Sequence, residues 1–350
     1  MRVDTAVIGA GIIGCMVARE IVARAPNTSV LVLDRDTVGS GASRRSAGLH
    51  FLRGSTPRVR AMTEYSHDYY LKLRENRPDL PIRPLAMSVV AVRGSAPRLR
   101  EVFLGRARLT PSGELSSEDV RVPRGAGVWT GDGAQYADVY ALTQALAREL
   151  RPRVGFREGV QVSAIDITAT GVGLRLSTGE AVTAGRVVLA PGPWLAAPAW
   201  HALVAPLGAR VKKVVALHVA RIPAPGDGVV VFQDEDAFLL PLREHGYWLY
   251  SYTCTEWDVH PDAVADGLTS DNVEQARASL RRYAPDLAER ATSGRVFCDA
   301  YSRTGDPRVQ ALDPEGRVVF AGAANGSGYR LAPAIASEAA NLLNLARSHI

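Results

Sequence analysis

The chain opens with a short, almost wholly apolar run over residues 3–8. Apolar positions at helical spacing follow over 12–24, until Ala25-Pro26-Asn27 stops them. A second β-rich run covers 29–33, so the first elements read strand, helix, strand. A Gly/Ser/Arg loop occupies 39–48. Helical spacing returns over 59–74 and a strand pattern over 87–92. Residues 136–151 carry an amphipathic helical pattern. Closely spaced strands are expected at 160–167, 172–176 and 187–190, with Gly171, Gly173 and Gly179 in the turns. A second strand-rich stretch covers 212–220, 228–232, 238–241 and 247–253, followed by a helix over 272–283. A buried strand at 318–321 and a closing helix over 332–346 complete the pattern.

Composition adds bounds. The chain has 350 residues, 47% hydrophobic and 22% charged, which is ordinary globular content with room for two domains or one carrying a large insertion. No apolar run approaches the ~18 residues of a membrane span. The glycine-interrupted N-terminus does not read as a signal peptide. Net charge is +5, and lysine occurs only at Lys72, Lys212 and Lys213. The arginines are dispersed among acids, so nucleic acid is not the expected partner, although the field favours an anionic cofactor or substrate. Cys15, Cys254 and Cys298 are far apart and form no pair motif. They read as buried, inert thiols in a reducing, cytoplasmic protein. No ligand spacing predicts a metal.

Gly9-Ala10-Gly11-Ile12-Ile13-Gly14 is a GxGxxG run that follows a strand and opens a helix. Gly9 permits the tight turn, Gly11 lets the backbone approach a pyrophosphate, and Gly14 permits close helix packing. The helix N-terminus adds free N–H groups and partial positive charge. Asp34 ends the second strand, where its carboxylate can accept from adenosine ribose hydroxyls and would repel a 2′-phosphate. A nicotinamide-binding domain would continue β-α-β-α-β at once. Here the chain leaves after Asp34, and strands able to rejoin the sheet appear only near Val154, Val187 and Val318. The expected fold is therefore α/β, a discontinuous Rossmann-like domain with an inserted mixed β-sheet substrate domain. Residues 1–80, 135–205 and 295–350 fall to the first domain, and 81–134 and 206–294 to the second.

Three further segments join that motif: the loop from Gly39 to Gly48, the strand end Val187-Val188-Leu189-Ala190-Pro191-Gly192-Pro193-Trp194, and Val318-Val319-Phe320-Ala321-Gly322 with Gly326-Ser327-Gly328-Tyr329-Arg330-Leu331-Ala332-Pro333-Ala334. Together and in order they resemble the D-amino-acid oxidase, glycine oxidase and sarcosine oxidase family. That resemblance implies FAD as cofactor. It places Gly9, Gly11, Ile12, Ile13, Gly14, Asp34 and Arg35 at one end. The loop contributes Ser43, Arg44, Arg45, Ser46, Ala47 and Gly48, and the sheet contributes Val160, Ala190, Pro191, Gly192 and Trp194. Gly326, Ser327, Gly328, Tyr329 and Leu331 come from the closing loop. A closing helix beginning near Ala332, with Pro333 in its first turn, would point its N-terminus at the flavin edge where negative charge develops.

Amine oxidation by a flavin needs positioning more than acid–base help, so substrate clamps are expected rather than a catalytic dyad. Arg330 suits a substrate carboxylate through bidentate contact, the alternative being a structural ion pair. Tyr301-Ser302-Arg303-Thr304-Gly305-Asp306 resembles the family's substrate strand, with Tyr301 and Arg303 on one face by alternation. Tyr301 stands where many amino-acid oxidases carry a carboxylate-binding Arg and sarcosine oxidases a Tyr. In Tyr247-Trp248-Leu249-Tyr250-Ser251-Tyr252, one face carries Trp248, Tyr250 and Tyr252, as a cavity wall or as ordinary sheet packing. Sarcosine oxidases use a lysine on that strand for oxygen. None follows Lys213 here, which leaves His50, Arg44 or Arg45 as the assisting cation, or an acceptor other than oxygen. The flavin attachment point of some sarcosine oxidases falls at Asp299, beside Cys298, so FAD is expected to be noncovalent. The expected reaction is oxidation of a small amino acid or carboxylate-bearing secondary amine to an imine. Oxidation of a 2-hydroxy acid, or a noncatalytic dinucleotide-binding module, are the alternatives. Oligomeric state is open.

Overall fold

A computed structural model describes residues 1–115 and 117–344. Two mixed sheets organise the chain. In the first, Arg2–Ile8 lies between Val30–Leu33 and Ala181–Leu189, parallel to both. Val154–Arg157 extends it beyond Val30–Leu33 and Val318–Gly322 beyond Ala181–Leu189, both parallel. The strands expected to rejoin near Val154, Val187 and Val318 thus do so. Arg308–Ala311 caps one edge antiparallel, and Gly171–Leu176 with Val162–Thr168 form an antiparallel flap. The parallel strands are nearly all apolar because helices cover them. Helix Ile12–Arg24 packs against Gly328–Leu342 and Val139–Leu150, and Pro57–Asn76 also covers Gly328–Leu342. Ile8, Leu33, Leu189 and Phe320 lie level at the carboxyl ends of their strands. Ligands of open α/β sheets bind outside that edge.

The second sheet runs Ala291–Tyr301, Arg210–Val219, Tyr247–Tyr252, Ala237–Leu242, Val229–Phe232, Ile82–Val92, Ala126–Ala137 and Leu49–His50. Its pairs are antiparallel except Val229–Phe232 with Ile82–Val92. Two of these strands, Ala126–Ala137 and Ala291–Tyr301, lack a clear apolar alternation. They gain order from long ladders with Ile82–Val92 and Arg210–Val219.

Several boundaries differ from the sequence pattern: the strand expected at 87–92 begins at Ile82 and that expected at 187–190 begins at Ala181. The helix expected from 136 starts at Val139, because Tyr136 pairs with Leu49 in the sheet and the Asp138 carboxylate caps the helix by accepting from Ala141 N–H at 2.9 Å. The 39–48 loop contains a short helical turn, Ala42–Arg45. The closing helix starts at Gly328, not near Ala332, and the expected positions 345–346 lie outside the described residues. Pro333 is therefore inside the helix, where it cannot donate to the Tyr329 carbonyl. The Tyr70 hydroxyl donates to that carbonyl instead, at 2.6 Å, and the two tyrosine rings pack with their centroids 4.8 Å apart, tilted by 34°.

This substitution of side chain for backbone is testable by denaturant unfolding. Tyr70→Phe is expected to cost about 1–2 kcal/mol, because a buried carbonyl loses its donor. In a Pro333→Ala background the restored amide supplies the bond, and the cost of Tyr70→Phe should fall to less than half.

Candidate active site

The two helix N-termini singled out in the sequence open on the same cavity, of about 570 Å³, between the carboxyl edge of the first sheet and one face of the second. At one end the backbone of the first glycine turn meets other backbone directly. Gly9 has φ +104°, and a Cβ there would sit 2.2 Å from the Ala190 carbonyl oxygen. A Cβ on Gly14 would sit 1.8 Å from the Gly9 carbonyl oxygen, so the helix can start here only with glycine. Gly11 and Gly328 differ. A Cβ on Gly11 would meet only the Ser43 hydroxyl, at 3.2 Å, and one on Gly328 would meet nothing within 4 Å. Both border the cavity, so these two positions leave room for a ligand rather than for protein. Asp34 clamps the turn: its Oδ2 accepts from Ala10 N–H at 2.6 Å and its Oδ1 from Asp36 N–H at 2.9 Å. Burial raises the Asp34 pKa. Ser43 Oγ accepts from Ile12 N–H at 2.9 Å, which ties the second loop to the first helix start.

Of the cofactor residues expected from the sequence, Gly9, Gly11, Ile12, Ile13, Gly14, Asp34, Arg35, Ser43, Arg45, Ser46, Ala47, Gly48, Val160, Ala190, Pro191, Gly192, Trp194, Gly326, Ser327, Gly328 and Tyr329 border this cavity. Two do not. Arg44 turns outward over the Tyr140 ring, 5.5 Å from its centroid. Leu331 is buried in the helical core, on the opposite side of the closing helix. Arg35 lies 4.2 Å over the Trp194 ring and pairs with Asp262 at 2.6 Å, while Trp194 Nε1–H donates to Asp262 at 2.9 Å. Asp262 was invisible in the sequence. It comes from the segment between strands Tyr247–Tyr252 and Ala291–Tyr301 and borders the same cavity.

At the other end, Arg330 and Tyr301 border the cavity as expected. Arg330 donates to the Arg53 carbonyl, to Thr63 Oγ1 at 3.4 Å and to Ser327 Oγ at 2.7 Å. Its guanidinium lies 5.5 Å over the Phe51 ring. No carboxylate pairs with it among the described residues. Burial, and then the neighbouring Arg53, lower its pKa to about 9, so it remains charged at neutral pH and lacks a counter-ion. Tyr301 directs its hydroxyl toward Gly326 and packs its ring edge-on against Trp257, with centroids 5.3 Å apart.

The remaining substrate candidates are placed differently. Arg303 does not share a face with Tyr301. The strand ends at Tyr301, where Ser302 N–H donates to Asn325 Oδ1 instead of continuing the ladder, and Arg303 sits exposed on the following turn. Tyr250 is fully buried against helix Ser270–Arg281 and shares a hydrogen bond with Ser279 at 2.7 Å, so the aromatic face of its strand is ordinary sheet packing. Tyr252 borders the cavity, but its hydroxyl turns to Gln275 on the same helix. His50 lies outside the cavity, fully buried, with Nε2 3.3 Å from His67 Nδ1. Burial holds its pKa well below 6.5, so it is neutral and supplies no cation.

Several cavity residues escaped sequence reasoning. Arg53 pairs with Asp236 at 3.2 Å. Lys212 and Lys213 both border the cavity at the start of their strand. Two adjacent lysines in a chain that has only three were the available signal. Asp299, the position where the resemblance puts the family's flavin attachment point, faces the cavity as well and accepts from Ala300 N–H at 2.8 Å. Burial raises its pKa to about 6, against the favourable backbone N–H groups of Ala300 and Gly326.

A family model described as FAD-dependent oxidoreductase matches residues 4–342. The chain belongs to this family. FAD is therefore its cofactor, and when bound it supplies the hydride acceptor. The cavity suits such a group, since the Gly11 and Gly328 positions leave open space at both helix starts. Among solved structures, glycine oxidase from Geobacillus kaustophilus superposes with a TM-score of 0.81 at 19% identity, covering 100% of this chain and 96% of that one. The L-proline dehydrogenase of P. horikoshii gives 0.80 at 15%, covering 99% and 95%. L-alpha-glycerophosphate oxidase from Mycoplasma pneumoniae, with FAD bound, gives 0.80 at 16%, covering 100% and 97%. At these identities the likeness concerns the fold. A search of curated protein sequences finds no match. No helix among the described residues is long and apolar enough to cross a membrane.

Asp299 gives this flavoprotein a pH-dependent stability. Its folded pKa is raised, so the proton-bound form favours folding. That contribution is present below about pH 4 and is lost as pH rises through about 6. In flavin-free protein, Asp299→Asn should melt about 3 °C above wild type at pH 7.5, with the gap closing by pH 4.

Proposed function

We propose that this enzyme oxidises the C–N bond of a small carboxylate-bearing amine to an imine, with Arg330 as the principal carboxylate clamp and Arg53 beside it. The observation that carries this reading is the Arg330 guanidinium, turned into the cavity without a carboxylate partner. A buried cation without a counter-ion is costly, and a bidentate substrate carboxylate relieves the cost while fixing the substrate's orientation. Phe51 backs the guanidinium with an apolar surface that excludes water. Tyr301 and the Gly326–Gly328 turn then bound the space where the substrate's C–H must lie against noncovalently bound FAD. The start of helix Gly328–Leu342 directs its N-terminal partial charge into that space, which favours negative charge developing there.

Nitrogen is favoured over oxygen at the reacting carbon by the chemistry required. A neutral amine gives up a hydride with its lone pair assisting, and needs no base at that step. A hydroxyl needs one; none of the described histidines borders the cavity, and the nearby acid Asp299 already accepts from Ala300 N–H. We assign the cofactor contacts to the cavity-bordering residues named above. We divide the chain into a discontinuous dinucleotide domain built around the first sheet and an inserted substrate domain built around the second.

The test is an anaerobic titration of the yellow protein with amino acids and N-methyl amino acids, following flavin bleaching. A panel in which every amine fails and a 2-hydroxy acid or glycerophosphate succeeds would overturn the reading. Arg330→Met should retain bound flavin and an undiminished melting temperature, because the buried charge is removed along with its function. Its second-order rate of bleaching by the best amine should fall about 100-fold, the loss expected for a charge-assisted pair of about 2–3 kcal/mol.

A further inference from the structure

Two cations that border the Tyr301 end of the cavity, Arg330 and Lys212, have no carboxylate partner among the described residues. Lys212 and Lys213 are adjacent, yet their surroundings differ. Lys213 is buried and its ammonium donates to both oxygens of Glu256, at 3.0 and 3.2 Å. Lys212 forms no ion pair among the described residues. Its ammonium lies 5.2 Å from the Trp257 ring centroid and 5.4 Å from that of Tyr301, half-buried at the cavity wall. Burial lowers its pKa. The nearest acids do not neutralise it. Asp299 lies opposite in the ladder but spends its Oδ1 on Ala300 N–H. Asp236 is committed to Arg53 at 3.2 Å and accepts from the Thr253 hydroxyl at 3.3 Å. Asp236 is also close enough for its charge to act on both Lys212 and Arg330. The cleft therefore presents three cations, Arg53, Arg330 and Lys212, against two carboxylates, Asp236 paired with Arg53 and Asp299 held by a backbone N–H, and neither of them pairs with Arg330 or Lys212.

We propose that Lys212 forms a second anion subsite, so that the preferred substrate is a dicarboxylic amino acid. Its α-carboxylate meets Arg330 and its side-chain carboxylate meets Lys212, with the Tyr301 and Trp257 rings holding the ammonium in place. Cation–π contact stabilises an ammonium without neutralising it, which leaves the cavity-facing N–H groups free for an anion. The proposal rests on the amine-oxidation reading above and narrows its substrate class.

Holoenzyme under anaerobic conditions is mixed with both enantiomers of aspartate and glutamate, their N-methyl forms, and the neutral analogues asparagine, glutamine and alanine. The second-order rate of flavin bleaching by the best dicarboxylate should exceed that of its amide analogue by about 30-fold. Lys212→Met should abolish that ratio by slowing the acid while leaving the amide close to its wild-type rate. Equal rates for acid and amide in wild type would overturn the proposal. So would a Lys212→Met variant that slows both alike, which would assign the lysine to the reaction itself. Equilibrium binding gives an independent readout through perturbation of the flavin spectrum. Malonate, succinate or glutarate should bind more tightly than acetate to wild type and no more tightly to Lys212→Gln, and the absence of any such difference in wild type would also overturn it. If amines fail and hydroxy acids succeed, the parent reading falls. Malate compared with lactate, in wild type and Lys212→Met, then decides the subsite separately.

Discussion

The whole arrangement depends on one contact between backbones with no side chain between them. The first helix starts against the Gly9 carbonyl through Gly14, and the Gly9 turn lies against the Ala190 carbonyl. This contact sets the helix axis relative to the carboxyl edge of the parallel strands. A single methyl group at either glycine would push the helix start away from that edge. The Asp34 carboxylate and the Ser43 hydroxyl then accept from amides of the same turn, which fixes its orientation. With the helix start held so close, the opposite wall is free to be built from remote segments of the chain. The closing helix, more than 300 residues later in the sequence, packs against the first helix and delivers Tyr329 and Arg330 to the same cavity.

Charge placement divides that cavity into two chemically different ends. At the end lined by the first glycine turn, Arg35 pairs with Asp262, and Trp194 donates to the same acid. At the other end, Arg330 and Lys212 face the cavity without carboxylate partners. A protein spends stability to keep such charges out of water. Sites where that cost is maintained are sites where a ligand supplies the missing charge. The same reasoning removes His50 from the chemistry. It is sealed beside His67, neutral, and separated from the cavity by the chain that carries Arg330.

The closing helix illustrates how sequence rules and packing interact. A proline is expected in a helix's first turn because its missing amide costs nothing there. Here it lies deeper, and the structure accepts it because Tyr70, from a helix far away in sequence, donates to the carbonyl the proline leaves vacant. The four extra residues before the expected start carry Gly328, Tyr329, Arg330 and Leu331 into regular helix. Arg330 is thereby oriented by the helix rather than by a loop, which gives it a fixed direction into the cavity.

The sequence alone determined what depends on short-range geometry. The β-α-β opening, the glycine turn with its terminal acid, the return of strands near Val187 and Val318, and the family all follow from residues that are neighbours in the chain. Their backbone conformation is dictated locally. The face that a side chain presents was not local information. Tyr250 and Tyr252 alternate as a strand should, yet a helix from residues 270–281 covers that face, and only packing decides which side of a sheet becomes a cavity wall. Arg303 missed the site because an asparagine from another segment ended its strand two residues early. Arg53, Asp236, Asp262 and Lys212 come from four separate segments with no shared motif. Their meeting is a property of long-range chain closure, and the balance of charge among them exists only once the two sheets have come together.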